Sequence, residues 1–563
     1  MYVREVTRKN KTGSVTYLQL ANSHWDPQLK RAVPEIVANL GRTDKDATGT
    51  LRSLAHSALK YLGETPTSGE PPAPEDSRPA GGAWILDGIW KQLGLDQAIV
   101  ASKRLGPGRP KNMQRAERII FAMVADRALA PSSKLAGVEW MTHDVAIVGM
   151  PDKVSEDECY RGMDWITGAE QLFERRVFDA VANLLNLEVD LIFFDTTSTY
   201  FETADEDTPI PRDGQGIACS DGDGVTRIGF RTWGKSKDSR PDLPQIIIGM
   251  AVTRTGIPVR VWCWPGNTSD SALIRQARAE LREWSLSKVV YVADRGFTCE
   301  ENRKQLMRAG DGYILGEKLR SGSVEAQEAL SKPGRYKTVA GNLQVKEVTT
   351  SAQDRFIICF NPEQVPRDQA TRSRLVARLH DMITASDELT TTQRAELKGK
   401  ISTMPGLNRF LRVTPTGLLR IDQAKIRREA GLDGKYLLRT SDPHMTSQDV
   451  ALGYKQLLEV ERGWRDMKSV LELRPVYHRL EDRIRAHVTL CWLALLLIRV
   501  AETQTGQTWA VIRQQMQRLC QVTYQTPQGS VVTHTRTTPA QAAILDKLGL
   551  KAPARLTVAV AGD

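Results

Sequence analysis

A chain of 563 residues with a formal net charge of +10 can hold several domains and a large core, and its surplus of cations favours a polyanionic partner. The seven cysteines (159, 219, 263, 299, 359, 491 and 520) contain no CxxC pair and have no histidine cluster beside them, which argues against structural zinc or a disulfide framework and suits a reducing cytoplasm. The opening MYVREVTRKNK lacks the apolar region of a signal peptide. The longest apolar run, Val488 to Ile498, is about half a membrane span, so it is expected as a buried helix and no membrane partner is expected.

In chain order, residues 1–63 read as a small α+β unit: SVTYLQLANS alternates like a strand, VPEIVANLG reads as a second, and TLRSLAHSALKYLG as a helix. The Pro-, Gly- and Ser-rich stretch 64–82 reads as a linker. Residues 83–188 are expected to be helical, through AWILDGIWKQLGLDQAIV, QRAERIIFAMVADRALA and a segment near EQLFERRVFDAVANLLN, and form a candidate DNA-binding region. KRLGPGRPK (103–111) lies among them; its slim Gly-Arg-Pro centre suits an A·T minor groove, with an ordinary basic loop as the competing reading.

Residues 189–310 carry the first candidate site residues. VDLIFF (189–194) is a continuous apolar run of β-formers, as in a strand buried on both faces, and Asp195 follows it; KVVYVA (288–293) is a second such run, followed by Asp294. Sites in α/β sheets lie at the carboxyl ends of strands, which is where both aspartates are expected. Thr196, Thr197 and Ser198 could support a metal shell or close the strand end. The acidic, Gly-rich stretch 204–225 lacks the helix-flanked twelve-residue calcium pattern and reads as a loop. A basic turn brings Arg231, Lys235, Lys237 and Arg240 together before IIIGMAV, where they could neutralise phosphates. VRVWCW reads as a further strand and SALIRQARAELREW as a helix, an order of β-β-β-α-β.

The long separation of Asp294 from the next candidate carboxylate calls for an inserted domain, placed at 311–445. YKTVAGNLQVKEVTT, RFIICFN, FLRVTP and KYLLRT read as its strands, and 367–402 as a charged helix. Residues 446–502 follow. There, 450–473 has no proline and reads as one long helix carrying Tyr454, Glu461 and Lys468 seven apart, with Arg465 four after Glu461. A stripe of one ring, one carboxylate and two cations suits work on a nucleic-acid strand, whereas an ordinary solvated helix face is the simpler reading. Two aspartates and a glutamate could hold two divalent ions about 4 Å apart, as in two-metal phosphoryl transfer. Residues 503–563 contain the Gln-rich TWAVIRQQMQRLCQV, read as a helix.

Taken together, GKSKDSRPDLPQIIIGMAV (234–252), VWCWPGNTSD (261–270), ADRGF (293–297), Tyr454-x2-Leu457-x3-Glu461-x6-Lys468 and RPVYH (474–478), in that order, resemble DDE transposases of bacterial insertion sequences, specifically the long-protein branch of the insertion-sequence-four superfamily. That branch carries Tyr-x2-Arg-x3-Glu-x6-Lys. Leu457 stands where the arginine would be, and Arg462 or Arg465 would have to supply the cation. The resemblance, over roughly residues 115–500, implies an α/β fold with a ribonuclease-H-like core split between 189–310 and 446–502. It also implies a β-rich insertion between the second aspartate and the glutamate; in some relatives an aromatic of the insertion holds a flipped base. Here Tyr313, Tyr336, Phe356, Phe360, Phe410 and Tyr436 would be the aromatics available.

The resemblance further implies that Asp195, Asp294 and Glu461 hold two Mg²⁺ or Mn²⁺ ions. Tyr454, Arg465, Lys468, Lys235, Lys237 and Arg240 would contact DNA. The partners would be double-stranded DNA, as element ends and target, and a second copy in a homodimeric synaptic complex. The setting would be a bacterial cytoplasm, at the nucleoid. C-terminal helices of such proteins often help assemble the complex. The rival readings are a DNA-binding relative without nuclease activity, or one whose catalysis has decayed, and, more remotely, a carboxylate-pair glycoside hydrolase. His478 and His487 read as structural more readily than as site residues.

Overall fold

A computed structural model describes residues 2–10, 13–26, 31–43, 47–62, 73–101, 112–185, 191–222, 224–282, 289–350, 354–526 and 529–561. The KRLGPGRPK stretch lies outside them.

The site is positioned by a nine-stranded mixed sheet. The helices Met113–Leu129 (α1) and Glu156–Leu185 (α2) precede its first strand. Its strands are Leu191–Tyr200 (β1), Gln245–Thr253 (β2), Pro258–Pro265 (β3), Val290–Ala293 (β4), Gly312–Glu317 (β5), Lys337–Ala340 (β6), Leu343–Val348 (β7), Arg355–Phe360 (β8) and Lys435–Thr440 (β9). The spatial order is β6-β7-β8-β9-β5-β4-β1-β2-β3. β4 runs parallel to both β1 and β5, while β1-β2-β3 and β5-β9-β8-β7-β6 pair antiparallel. Helix Asp270–Arg282 (α3) makes the crossover from β3 to β4. After β9 come Ser447–Lys455 (α4), Leu458–Ser469 (α5) and Glu481–Thr505 (α6).

The apolar runs are continuous because both sheet faces are covered. Ile192, Phe194, Tyr291, Ala293, Tyr313 and Leu315 pack on one side against Leu273, Ile274, Ala277 and Leu281 of α3. Leu191, Phe193, Val290, Val292 and Ile314 face the other side and join Val460 and Trp464 of α5 and the buried length of α6. By length and composition α6 could cross a membrane, but 94% of its most apolar window is buried inside the protein. Ile120, Phe121 and Val124 of α1 belong to this same core. The described helices between residues 81 and 185 therefore include α1 packed on this sheet rather than standing apart from it.

Five expectations change. Helix 450–473 is broken at Gln456 and Leu457, where Leu457 N–H turns back to the Tyr454 carbonyl and Val460 N–H to the Leu457 carbonyl; these are the tighter i→i+3 bonds of a 3₁₀ turn. Residues 73–79, expected as linker, form a strand paired with Cys520–Thr526. The Gln-rich helix accordingly stops at Met516, and its continuation is that strand. The segment 311–445 is not a separate β-rich unit. Its strands β5 to β9 extend the main sheet, and an excursion between β8 and β9 contains Val365–Ile383 and Thr391–Ser402, two helices where one was expected. That excursion closes on its own small core of Leu379, Ile383, Ile401, Leu407 and Phe410.

Candidate active site

Strand register brings the two aspartates side by side. In the parallel pair β1 and β4, Val290 lies opposite Leu191, Tyr291 opposite Ile192 and Val292 opposite Phe193; carried on two residues, Asp294 is level with Asp195. Adjacent strands are about 4.8 Å apart, and residues level across them share a face. Asp195 and Asp294 share the parity of Phe193 and Val292, so they fall on the face covered by α4, α5 and α6. Asp294 follows its strand, as expected. Asp195 does not: β1 continues through Tyr200, paired with β2 as far as Gln245, because Thr196 to Thr199 are β-favouring and buried.

Glu461, exposed on α5, reaches this face from above. It lines a cavity of about 340 Å³ together with Asp294, Tyr454, Tyr436, Leu457, Asn342 and Asn361. Asp195 is not among the residues lining it. Among the described residues, no group of three or more His, Cys, Asp or Glu side chains is close enough together to hold a metal ion. The donor chemistry itself, carboxylate oxygens from two strands and a helix, suits a hard divalent cation.

Tyr454 sits inside the protein against the second aspartate. Its hydroxyl donates to Asp294 Oδ1 at 3.2 Å, and its ring stacks on Tyr436 at 5.9 Å and 28°. Burial, followed by the charge of Asp294 and the hydrogen bond to it, raises the phenol well above its ordinary range, so it remains a donor at neutral pH. Gly316 of β5 makes the approach feasible, since a Cβ there would lie 2.3 Å from the Tyr454 hydroxyl. With α4 and α5 separated by a turn, Tyr454 and Glu461 do not lie along one straight helix; they meet across the cavity instead.

Lys468 is neither a solvated cation nor a free one. Its ammonium donates to Thr197 Oγ1 and Asp238 Oδ1, both at 2.7 Å, and burial lowers its pKa against the opposing effect of Asp238. Asp238 also pairs with Arg474 at 3.2 Å. Lys237 donates to the carbonyl and hydroxyl of Thr196 at 2.7 and 2.6 Å, and its backbone N–H to Ser198 Oγ at 2.8 Å. The three hydroxyl residues after Asp195 thus anchor the basic turn and α5 to β1. Arg240 pairs with exposed Asp242 and lies over Tyr200, as Arg474 also does. Arg465 is exposed and has no ion-pair partner among the described residues, whereas Arg462 pairs with Glu502 at 3.2 Å.

Lys235 and Lys237 line a second, more polar cavity of about 590 Å³ that also touches Asp294, together with Arg295 and Lys318. Sequence reasoning did not single out Asp238 or Lys318. An aspartate set among Lys235, Lys237 and Arg240 was the available signal for the first; Lys318 had none. Of the six aromatics of the presumed insertion, Tyr313, Phe356 and Phe410 are core, and only Tyr436 lines the cavity beside Asp294. His487 is buried, with Nε2 3.2 Å from the Leu473 carbonyl, in keeping with a structural histidine.

A mixed sheet with two level aspartates, under a helix that carries a third carboxylate, belongs to a class of α/β proteins whose candidate chemistry lies at one sheet face. The transposase DDE domain family matches residues 208–497, just over half of the chain, and the chain belongs to that family. The match begins after Asp195. Among solved structures the chain is similar to a piggyBac transposase synaptic complex with hairpin DNA, at 12% identity and a TM-score of 0.33, covering 77% of this chain and 78% of that one. No curated protein matches the sequence.

Proposed function

We propose that this transposase cuts and joins DNA at the ends of an insertion sequence of the insertion-sequence-four type, using Asp195, Asp294 and Glu461. The observation that carries the reading is the register of β1 and β4, which sets Asp195 level with Asp294 on the face where Glu461 lines a cavity with Asp294. The order β3-β2-β1-β4-β5 supports a ribonuclease-H-like core, with β6 to β9 and the helical excursion as its insertion.

Asp195 and Asp294 would hold Mg²⁺ or Mn²⁺ from the sheet and Glu461 from the helix. Two such ions supply Lewis-acid activation of water or a 3′-hydroxyl and neutralise charge at the leaving oxygen. Tyr454 orients Asp294 by donating to one of its oxygens. Lys235, Arg295 and Lys318 line the neighbouring cavity and would attract the phosphates of the strand. Exposed Arg465 is the helix cation best placed to replace the arginine that Leu457 lacks. Double-stranded DNA is the substrate, a second copy completes the synaptic complex, and the setting is the bacterial cytoplasm.

Cleavage of DNA carrying the element's flanking repeats, with and without Mg²⁺, tests this. Asp294→Asn should abolish cleavage and leave binding largely intact, because a neutral amide is a poor ligand for a hard cation. Cleavage by the variant at the wild-type rate would overturn the assignment. A second reading, a DNA-binding relative without nuclease activity, has one observation behind it: the three carboxylates do not form a single cluster among the described residues. Under that reading, wild type binds the same DNA and cuts nothing in either condition.

A further inference from the structure

The RPVYH motif is not absorbed by the carboxylate site. After Leu471 the backbone turns through Glu472, which takes a left-handed conformation with φ of 46°. The following residues wall a cavity of about 400 Å³ against α1 and the start of α2, on residues distinct from the three carboxylates. Two cations are buried in its lining, Arg127 at 3% exposed and Lys134 at 7%, beside His487 at 5%, which burial holds neutral by pushing its pKa well below the ordinary value; Arg474 also lines it.

Arg127 is paired with Asp126 at 2.9 Å. The Lys134 ammonium makes no hydrogen bond and no ion pair within 4 Å among the described residues, and burial lowers its pKa against the attraction of Asp126. Nδ1 of His487 is likewise buried with no hydrogen-bond partner. Burying an ammonium alone is costly, and such groups are normally paired or occupied by a ligand. The nearby carboxylates are committed elsewhere or open to solvent: Asp126, whose charge reaches Lys134, is paired with Arg127 and accepts from Ser132 Oγ, Glu156 accepts from Tyr160 at 2.8 Å, and Glu472 is exposed. At the mouth stands Tyr477, 77% exposed, a flat ring with no packing reason to be there.

We infer that this cavity is a nucleotide-phosphate site: Lys134, with Arg127 and His487 behind it, takes a phosphate group, and Tyr477 stacks on the attached base. A buried cation calls for an oxyanion, and an exposed aromatic at the rim of such a pocket suits a base, whose π-face stacks irrespective of sequence. The pocket is tied to the carboxylate face through a single residue. Arg474 and Lys468 share Asp238, and Lys468 also bonds Thr197, two residues beyond Asp195. The phosphate can belong to a DNA strand or to a free nucleotide.

Thermal unfolding in phosphate-free buffer tests the site, with four probes: inorganic phosphate, a deoxynucleoside 5′-monophosphate, and a short single-stranded oligonucleotide with and without a 5′-phosphate. Wild type should gain stability with phosphate and more with the nucleotide. A gain from the mononucleotide at least as large as from the oligonucleotides supports a free-nucleotide source, and a larger gain from the 5′-phosphorylated oligonucleotide than from the mononucleotide supports a strand. Lys134→Met should melt higher than wild type without any probe, because a buried ammonium with no hydrogen bond is gone, and should bind the probes about tenfold more weakly or worse. Tyr477→Ala, at an exposed position where folding is not at stake, should keep the phosphate response and lose the nucleotide's advantage. Asp294→Asn should respond as wild type does, which separates this site from the carboxylate site. A wild type that responds to none of the probes, or a Lys134→Met that responds as wild type, would overturn the proposal. A response to inorganic phosphate alone would overturn its nucleotide assignment.

Discussion

Asp294 is held by a donor that the sequence places far away, and that contact can be tested one atom at a time. Tyr454→Phe removes only the hydroxyl that donates to Asp294. A hydrogen bond to a charged group contributes about 1.5–3 kcal/mol, so end-cleavage should fall by about tenfold or more while the fold persists. Gly316→Ala should reproduce the defect, since its Cβ would displace the same hydroxyl. Unchanged cleavage rates for both variants would show that the contact has no part in catalysis. His478 offers a pH test: burial, with Lys134, Arg483 and Arg127 nearby, pushes its pKa from 6.5 down to about 4. Between those values the unfolded chain binds more protons than the folded one, so stability rises with pH across the window and is lost as pH falls from 6.5 toward 4. Melting curves from pH 7 to 4.5 should show this decline, and His478→Gln should make it shallower.

At the scale of single elements, α5 carries cations in two settings, paired inside the protein and exposed. Lys468 shares Asp238 with Arg474 and anchors the helix to β1. Lys468→Ala should therefore destabilise the protein by roughly 2–3 kcal/mol, less than the ~3–5 kcal/mol of a fully buried broken pair because Arg474 remains. Denaturant unfolding measures this, and a loss below about 0.5 kcal/mol would contradict the anchoring role. Arg465→Ala should leave stability alone, weaken binding to terminal DNA and reduce its salt slope by about one unit, as for one lost phosphate contact. Arg462→Ala, which removes the pair with Glu502, should do the reverse. Binding isotherms at several salt concentrations, read beside melting curves, separate the two arginines.

At the scale of the whole molecule, the chain closes on itself. Cys520–Thr526 pairs on one side with Ala73–Pro79 and on the other with Gly529–His534, which in turn pairs with Leu556–Ala561. The strand expected as linker is thus held by the C-terminal region. Truncation after Leu519 should expose it, and a glutamate-specific endoprotease should then cut after Glu75, in the strand whose Arg78 is paired with Asp76 and bonded to the Thr142 carbonyl in the intact protein. Mass spectrometry of a timed digest reads the outcome; equal protection of the bond after Glu75 in both forms would mean that the sheet does not hold this segment.

What the sequence determined by itself is local. The runs ending near Asp195 and at Ala293, the helix Asp270–Arg282, the strands of 337–360 and the buried core of α6 follow from apolar periodicity and β-propensity, which act over a few residues. Glu461 and the basic turn stand out in the sequence because carboxylates and cations there have a pattern. Tertiary structure decided the rest. Helix 450–473 breaks where α4 and α5 must each lie on the sheet, and β1 continues past Asp195 because β2 pairs with the whole of Leu191–Tyr200 bar its first residue. Residues 73–79 are a strand only because a partner from the far end of the chain supplies the ladder. Lys468 and Tyr454 became half-buried partners of Asp238 and Asp294 for the same reason: hydrogen bonds between distant residues leave no periodic trace in the sequence, and only the packed sheet brings their atoms within reach.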